Sequence, residues 1–206
     1  MTTEYDNEPI KGLPGFLPKD ESILWQGAPD WQSMARSVFH TRIVAGWFVI
    51  VAMGAFVAGG TGPLGAAITL LVAGLGLGLL AFLAWVQARS TVYTLTQKRL
   101  VMRFGVALPK CVNLPLAQIV SADVQPAGAG RCDIALRVAG RFPLGWLQMW
   151  PHVRPWMIND PQPMLRAIPE SAVPLLSATL AMADPARQVA TQLTTAGADG
   201  SIGVAA

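Results

Sequence analysis

The stretch TVYTLTQKRLVMRFGV, Thr91 to Val106, decides the fold class. It alternates with period 2, which predicts a strand over Val92–Thr96, a short polar turn, and a second strand over Arg99–Phe104. In the second strand Leu100, Met102 and Phe104 point one way and Arg99, Val101 and Arg103 the other. Such alternation marks a half-buried antiparallel strand, and Gly105 ends the run. Downstream the pattern of short strands continues. CVNLP (111–115) and AQIVSADV (117–124) read as strands around Pro115. CDIALRVAG (132–140) puts Ile134, Leu136 and Val138 inward and Asp133 and Arg137 outward, behind a GAGR turn at 128–131. Asp123 and Asp133 are expected at or near strand ends, exposed. ESAVPLLSATLAM (170–182) reads as a helix with Ser171 as N-cap and Pro174 in its first turn. A weaker helix over DPARQVATQLTT (184–195), with Asp184 as N-cap, and a flexible tail beyond Ala196 complete the chain. Short antiparallel strands closed by a C-terminal helix describe a small barrel or half-barrel.

Upstream of Thr91 the composition changes. The 206 residues are 52% hydrophobic and only 13% charged, against about 25% charged in a soluble domain. The deficit is local: Ile43 to Ala88 carries no charge at all. IVAGWFVIVAMGAFVAGG (43–60) and LGAAITLLVAGLGLGLLAFLAWV (64–86) are two apolar runs. As helices they would be roughly 27 and 35 Å long, enough to cross a hydrocarbon core of ~30 Å. The breaker cluster Gly59-Gly60-Thr61-Gly62-Pro63 joins them into a hairpin. The remaining chain is too small to bury two helices that are apolar all round.

Arg36 and Arg42 precede this hairpin, Arg89, Lys98 and Arg99 follow it, and its tip is uncharged. Both termini are therefore expected in the cytoplasm, with Trp47 and Trp85 in a cytoplasmic-side aromatic belt. Neither span carries an ionisable side chain, which argues against a proton relay or ion carrier. Gly54 with Ala58 reads as packing of one helix on the other. Gly74 and Gly78 form a G-x-x-x-G, and a groove there for a partner helix or a second copy stays open.

The domain organisation expected is thus residues 1–42, an N-terminal cytoplasmic segment that adds a strand; 43–88, the membrane hairpin; 89–183, the cytoplasmic β domain; and 184–206, weak helix and tail. Net charge is +3. Residues 1–42 carry six acids and four bases, and residues 90–206 ten bases and six acids. This mild basic bias suits a domain beside an anionic membrane and lacks the clustered basic face of a nucleic-acid binder. Cys111 and Cys132 have no C-x-x-C spacing and read as ordinary thiols, with no zinc site. The acidic start, and a first apolar run only at Ile43, do not make a cleavable signal peptide.

The segment LQMWPHVRPWMINDPQPMLRAIPE (147–170) fits neither period. Pro151, Pro155, Pro161, Pro163 and Pro169 stiffen it, so it loses little entropy on docking. Trp150, Arg154 and Trp156 are residue types that anchor interfaces. It reads either as a surface that receives a partner, with His152 among its contacts, or as a strap over the barrel's open end with its tryptophans in the core. The two combine if one tryptophan points in and one out. Catalysis is not expected: no G-x-S-x-G, H-E-x-x-H or P-loop occurs, and neither histidine has a carboxylate at motif spacing. No cofactor is expected. His152 and His40 are the only candidates to ligate a bacteriochlorophyll magnesium, and a surface or interfacial histidine is the preferred reading of both.

Two resemblances rest on particular residues. YTLTQKRLV (93–101), Gly105-Val106 and NLPLAQIVSADV (113–124) resemble the bacterial PH-like domain of small membrane proteins, whose signature Y-x-L-T-x-x-R follows a transmembrane pair. LPKDESILWQGAPDW (17–31) fits the opening of such proteins and would supply a strand from before the hairpin. EYDNEPIKGLPGFLP (4–18), ILWQGAPDW (23–31), VNLPLAQIVSADV (112–124) and above all WPHVRPWMINDPQPMLRAIPE (150–170) resemble the photosynthetic complex assembly proteins of purple bacteria, the PuhB type. Their gene lies near that of the reaction-centre H subunit. This resemblance implies a non-catalytic, multi-pass protein of the intracytoplasmic (inner) membrane that assists assembly of the reaction centre and its core light-harvesting antenna. Three spans are sometimes drawn for such proteins. Here FPLGWLQMWP (142–151) is too short and too interrupted to be a third. The alternative is a PH-like membrane protein that binds lipid or protein and is unrelated to photosynthesis. A pigment carrier is the remaining reading.

Overall fold

The structure, a computed structural model, describes residues 12–13, 15–57, 62–106, 108–140 and 142–183. Among the described residues seven strands make two antiparallel sheets. β1 (Ile23–Gly27), β2 (Val92–Thr96), β3 (Arg99–Phe104) and β4 (Lys110–Pro115) form the first in that order, and β5 (Ile119–Gly128), β6 (Arg131–Val138) and β7 (Met164–Pro169) the second. The core lies between them, from Tyr93, Leu95, Leu100, Met102 and Phe104 on one side to Ile134, Leu136, Leu165 and Ile168 on the other. A 3-10 turn at Glu170–Ala172 leads into α5 (Val173–Ala183); Ala172 of the turn and Leu176 and Leu180 of the helix join the core.

β1 precedes the helical hairpin and β2 follows it, yet the two pair from Ile23↔Thr96 to Gly27↔Tyr93. The hairpin is therefore an insertion between neighbouring strands. Its helices are α2 (Thr41–Val57) and α3 (Gly62–Arg89), packed side by side. A short helix, α1 (Trp31–Ser37), precedes them and packs on α3. Asp30 caps α1, accepting from the Ser33 amide at 2.9 Å. α3 has 28 residues and a mean hydropathy of 2.4 in its most apolar window, long and apolar enough to cross a membrane. α1 and α2 reach that standard together, bent by 57° at their junction.

The predicted strands 92–96 and 99–104 form with those bounds. Several finer expectations are corrected. Asp133 is buried, because Arg166 and the Ala167 amide meet it there. Val101 is buried although it shares a face with Arg99 and Arg103; it faces Thr94, which Gln26 covers. Ser171 does not cap a helix but lies in the 3-10 turn. Gly54 does not pack α2 on α3: no atom comes within 4 Å of where its Cβ would be, and the buried small residue of α2 is Ala52. A short helix, α4 (Trp146–Met149), forms where none was read. Ala58, the predicted helix 184–195 and the tail lie outside the described residues.

Candidate functional site

The proline-rich strap is built around two buried side chains. Arg166, on β7, donates from Nη1 to Asp133 at 2.8 Å, from Nε to the Pro151 carbonyl at 3.0 Å, and from Nη2 to the Val153 carbonyl at 3.0 Å. The second Asp133 oxygen accepts from the Ala167 amide at 2.7 Å. Both partners of this ion pair are less than a tenth exposed. The planar guanidinium thus satisfies a carboxylate and two strap carbonyls at once, as only arginine can.

His152 is the other. It has no exposed surface and packs against Phe104, ring centroids 4.8 Å apart, and edge-on to Tyr93 at 5.7 Å. Its hydrogen bonds run in one direction. The Arg166 amide donates to Tyr93 Oη at 3.1 Å. Because Thr91 Oγ1 gives its own proton to the Gln87 carbonyl, it must accept from His152, so the phenol donates to the unprotonated Nδ1 at 2.7 Å. That leaves the ring proton on Nε2, which donates to Thr91 Oγ1 at 3.1 Å. Thr91 donates onward to the Gln87 carbonyl in the last turns of α3, at 2.8 Å. With that tautomer, the 3.5 Å approach of Gln87 Nε2 to His152 Nε2 sets donor against donor and is not a hydrogen bond. Burial, and secondarily the Arg166 charge, pushes the His152 pKa down to about 3, so the imidazole stays neutral. Burial also raises the Tyr93 hydroxyl, which keeps its proton. One chain of bonds therefore ties β7, β2, the strap and the end of α3.

At the opposite end of β2 the signature residues have structural work. Glu21 accepts from Thr96 Oγ1 at 2.6 Å, from Arg99 Nε at 2.8 Å and from Arg99 Nη2 at 2.7 Å. The Arg99 hydrogen bonds hold the Glu21 carboxyl below the usual range. Thr96 Oγ1 also accepts from the amide of Arg99 at 3.0 Å, closing the β2–β3 turn. Tyr93, Leu95, Thr96 and Arg99 of Y-x-L-T-x-x-R thus hold hub, core and clamp.

The candidate contact residues separate. His152 is corrected from surface to interior: both its ring nitrogens are bonded, which leaves none for a pigment magnesium or a partner. The strap does cover the barrel, but its buried residues include Met149, His152, Val153 and Gln162 and not Trp150 or Trp156. Trp150 is half-exposed and meets Phe39 edge-on at 5.7 Å. Trp146, one position before the segment singled out, packs against the core and donates to the Arg154 carbonyl at 3.0 Å. Arg154 donates to Asp123 at 2.7 Å and Gln162 at 3.1 Å. With the Arg154 amide on the Gln162 carbonyl at 2.9 Å, these bonds close a loop whose tip is Trp156, Met157 and Ile158. Trp156 is 91% exposed and holds φ +64°. Gly74 and Gly78 are exposed, with nothing within 4 Å of a Cβ at either.

Sequence reasoning missed Arg166 and Asp133. Their signal was present: a strand otherwise apolar, MLRAIP, with one arginine, and a strand CDIALRV with one aspartate. A cleft of about 320 Å³ lies between β4 and the Phe142–Leu144 segment, and no described cation lines it. Among the described residues no three His, Cys, Asp or Glu side chains gather as a metal site requires.

Two facing antiparallel sheets closed by a C-terminal helix are the architecture of a PH-type binding module, and the chain belongs to the bacterial PH domain family, whose model matches residues 42–173. It is also 37% identical, over 179 residues and 82% of each chain, to a Rhodobacter capsulatus protein described as an uncharacterized 23.7 kDa protein in the puhA 5' region. No solved structure matches it.

Proposed function

We propose that this chain is a non-catalytic, multi-pass protein of the intracytoplasmic membrane that assists assembly of the photosynthetic reaction centre and its core antenna. The observation that carries this is the 37% identity, over 82% of both chains, to the protein of the puhA 5' region. It agrees with the resemblance of residues 150–170 to the purple-bacterial assembly proteins, whose gene lies near that of the H subunit. In this reading α2 and α3 cross the membrane, both termini are cytoplasmic, and contacts to partner subunits are made in and beside the bilayer. A PH-family module supports binding rather than catalysis.

The partner surface is the Trp156–Ile158 tip, an apolar, proline-flanked loop on a rigid base. The outward faces of Gly74 and Gly78 are the second surface, for a partner helix or another copy of this chain. Arg154 supports the tip from behind. The test is tagged protein recovered from photosynthetically grown membranes in mild detergent, as wild type and as Trp156→Ser/Ile158→Ser. Reaction-centre or antenna subunits are expected with the wild type and depleted at least about tenfold with the variant, since an interface anchor is worth ~1.4 kcal/mol or more. Equal recovery overturns the role of the tip, and no subunits with either protein overturns the assembly reading in favour of a PH-like membrane protein of other purpose.

A further inference from the structure

The two ends of the first sheet differ sharply. At the far end, the β2–β3 turn carries Gln97 and Lys98 beside the Glu21–Arg99 clamp. At the end where α3 runs into β2, several apolar side chains of the described residues stand exposed. Val106 and Leu108, between β3 and β4, are 52% and 77% exposed. Leu147, on α4, is 80% exposed, with the half-exposed Trp150 one turn along. Gly105 fixes the first pair: at φ +119° an added Cβ would strike the Leu108 carbonyl, so the turn that presents them requires glycine. The Phe39–Trp150 contact fixes the second pair beside the start of α2, since Phe39 lies two residues before Thr41.

Cations outnumber acids among the described residues at this end, where Asp30 is engaged as the cap of α1. From Trp31 to Ala122 the sequence holds no aspartate or glutamate. The described cations there include Arg36 and Arg42 at the α1–α2 junction, Arg89 at the end of α3, Arg103 near the end of β3, and Lys110, which donates to the Gln148 carbonyl of α4 at 3.0 Å. Arg89 lies over the Trp85 ring at 4.9 Å. The nearest acids of the second sheet are neutralised, Asp123 by Arg154 and Asp133 by Arg166.

We infer that this end of the β domain, the apolar Val106, Leu108, Leu147 and Trp150 within a rim of Arg42, Arg89 and Lys110, rests on the bilayer and selects an anionic lipid surface. The inference depends on the reading that α2 and α3 cross the membrane. Exposed apolar side chains beside a membrane helix bury into the headgroup region, and a cationic rim adds attraction to anionic lipid. Recognition is by the surface as a whole, with the domain standing on its hairpin.

The full chain in nanodiscs tests this. The background is Cys111→Ser; Cys132 stays unlabelled, because it is buried and burial pushes its thiol up to about 11. Spin labels are placed singly at Leu108→Cys and Leu147→Cys on the face, at Gln97→Cys at the far end, and at Leu75→Cys within α3. Power saturation with oxygen and a water-soluble nickel chelate is read in phosphatidylcholine discs and in discs rich in phosphatidylglycerol. The Leu75 label is expected to be shielded from nickel in both. Labels at Leu108 and Leu147 should lose roughly fivefold in nickel accessibility on going to anionic discs, about the effect of one surface cation. Gln97 should not change, and Arg42→Gln/Lys110→Gln should abolish the response. Labels at Leu108 and Leu147 that behave like Gln97, or that are shielded equally in both lipids, overturn the inference while a shielded Leu75 leaves the hairpin reading intact. Dipolar broadening between face labels shows that a second copy covers the face, and also overturns it. A nickel-accessible Leu75 refutes the hairpin reading and this inference with it.

Discussion

His152 acts through its neutrality. Its ordinary pKa is 6.5 and its folded value about 3, so between those pH values the unfolded chain takes up a proton that the native protein refuses. The stability it provides is complete above pH 6.5 and drains away as pH falls toward 3, with a slope approaching ~1.4 kcal/mol per pH unit. His152→Phe should cost about 2 kcal/mol at neutral pH, because buried hydroxyls lose a partner, and the gap to wild type should shrink on acidification. Denaturant unfolding in detergent at several pH values checks this; a gap that stays constant contradicts it. Trp156 is the reverse case. An L residue at φ +64° is strained by ~1 kcal/mol, and a side chain this exposed recovers little by packing. Trp156→Asn, a residue that tolerates this conformation, should leave stability unchanged or raise it by up to ~1 kcal/mol, while a loss above that size in the same unfolding assay would show that the indole is packed. Neither role was legible in the sequence. A histidine between prolines looks exposed, and only the distant Tyr93, Thr91 and Arg166 make it a core residue.

The strap depends on one ion pair with its hydrogen bonds. Arg166→Met leaves Asp133 buried without its cation and frees the Pro151 and Val153 carbonyls, so it should destabilise by about 3–5 kcal/mol. Limited proteolysis should then cut within 147–163, where the wild type resists; equal resistance would contradict the account. Arg99→Lys should cost ~1 kcal/mol, because lysine cannot keep the two-point contact with Glu21. On α3, Gly74→Leu/Gly78→Leu meets open space, so it should not harm folding and should act only on association, read by cross-linking in membranes. The strands were legible wherever one face is wet, as at Arg99–Phe104 with its alternating pattern. The strap was not, because its order comes from contacts to β2, β6 and β7 rather than from any period of its own. The signature Y-x-L-T-x-x-R pointed to the family for a physical reason: three of its side chains make the long-range polar contacts that hold β1, the strap and the β2–β3 turn together.

For the whole molecule, the insertion of the hairpin between β1 and β2 matters most. α3 enters β2 through Ser90 and Thr91 alone, and both hydroxyls bond the Gln87 carbonyl, at 3.1 and 2.8 Å. With the His152 chain locking the same turn, the β domain is held at the end of the helix rather than tethered by a flexible linker. On the proposed assembly reading, a domain so placed would meet the cytoplasmic ends of partner helices while the hairpin packs beside them. The apolar block made the hairpin legible, but its length alone did not reveal that β1 closes the sheet across it. The measurement that tests the central claim most directly is the near-infrared spectrum of photosynthetic membranes from a strain that lacks this chain, beside the same strain complemented. The account predicts less reaction-centre and core-antenna absorbance without the chain and its return on complementation. Identical spectra would contradict the assembly role.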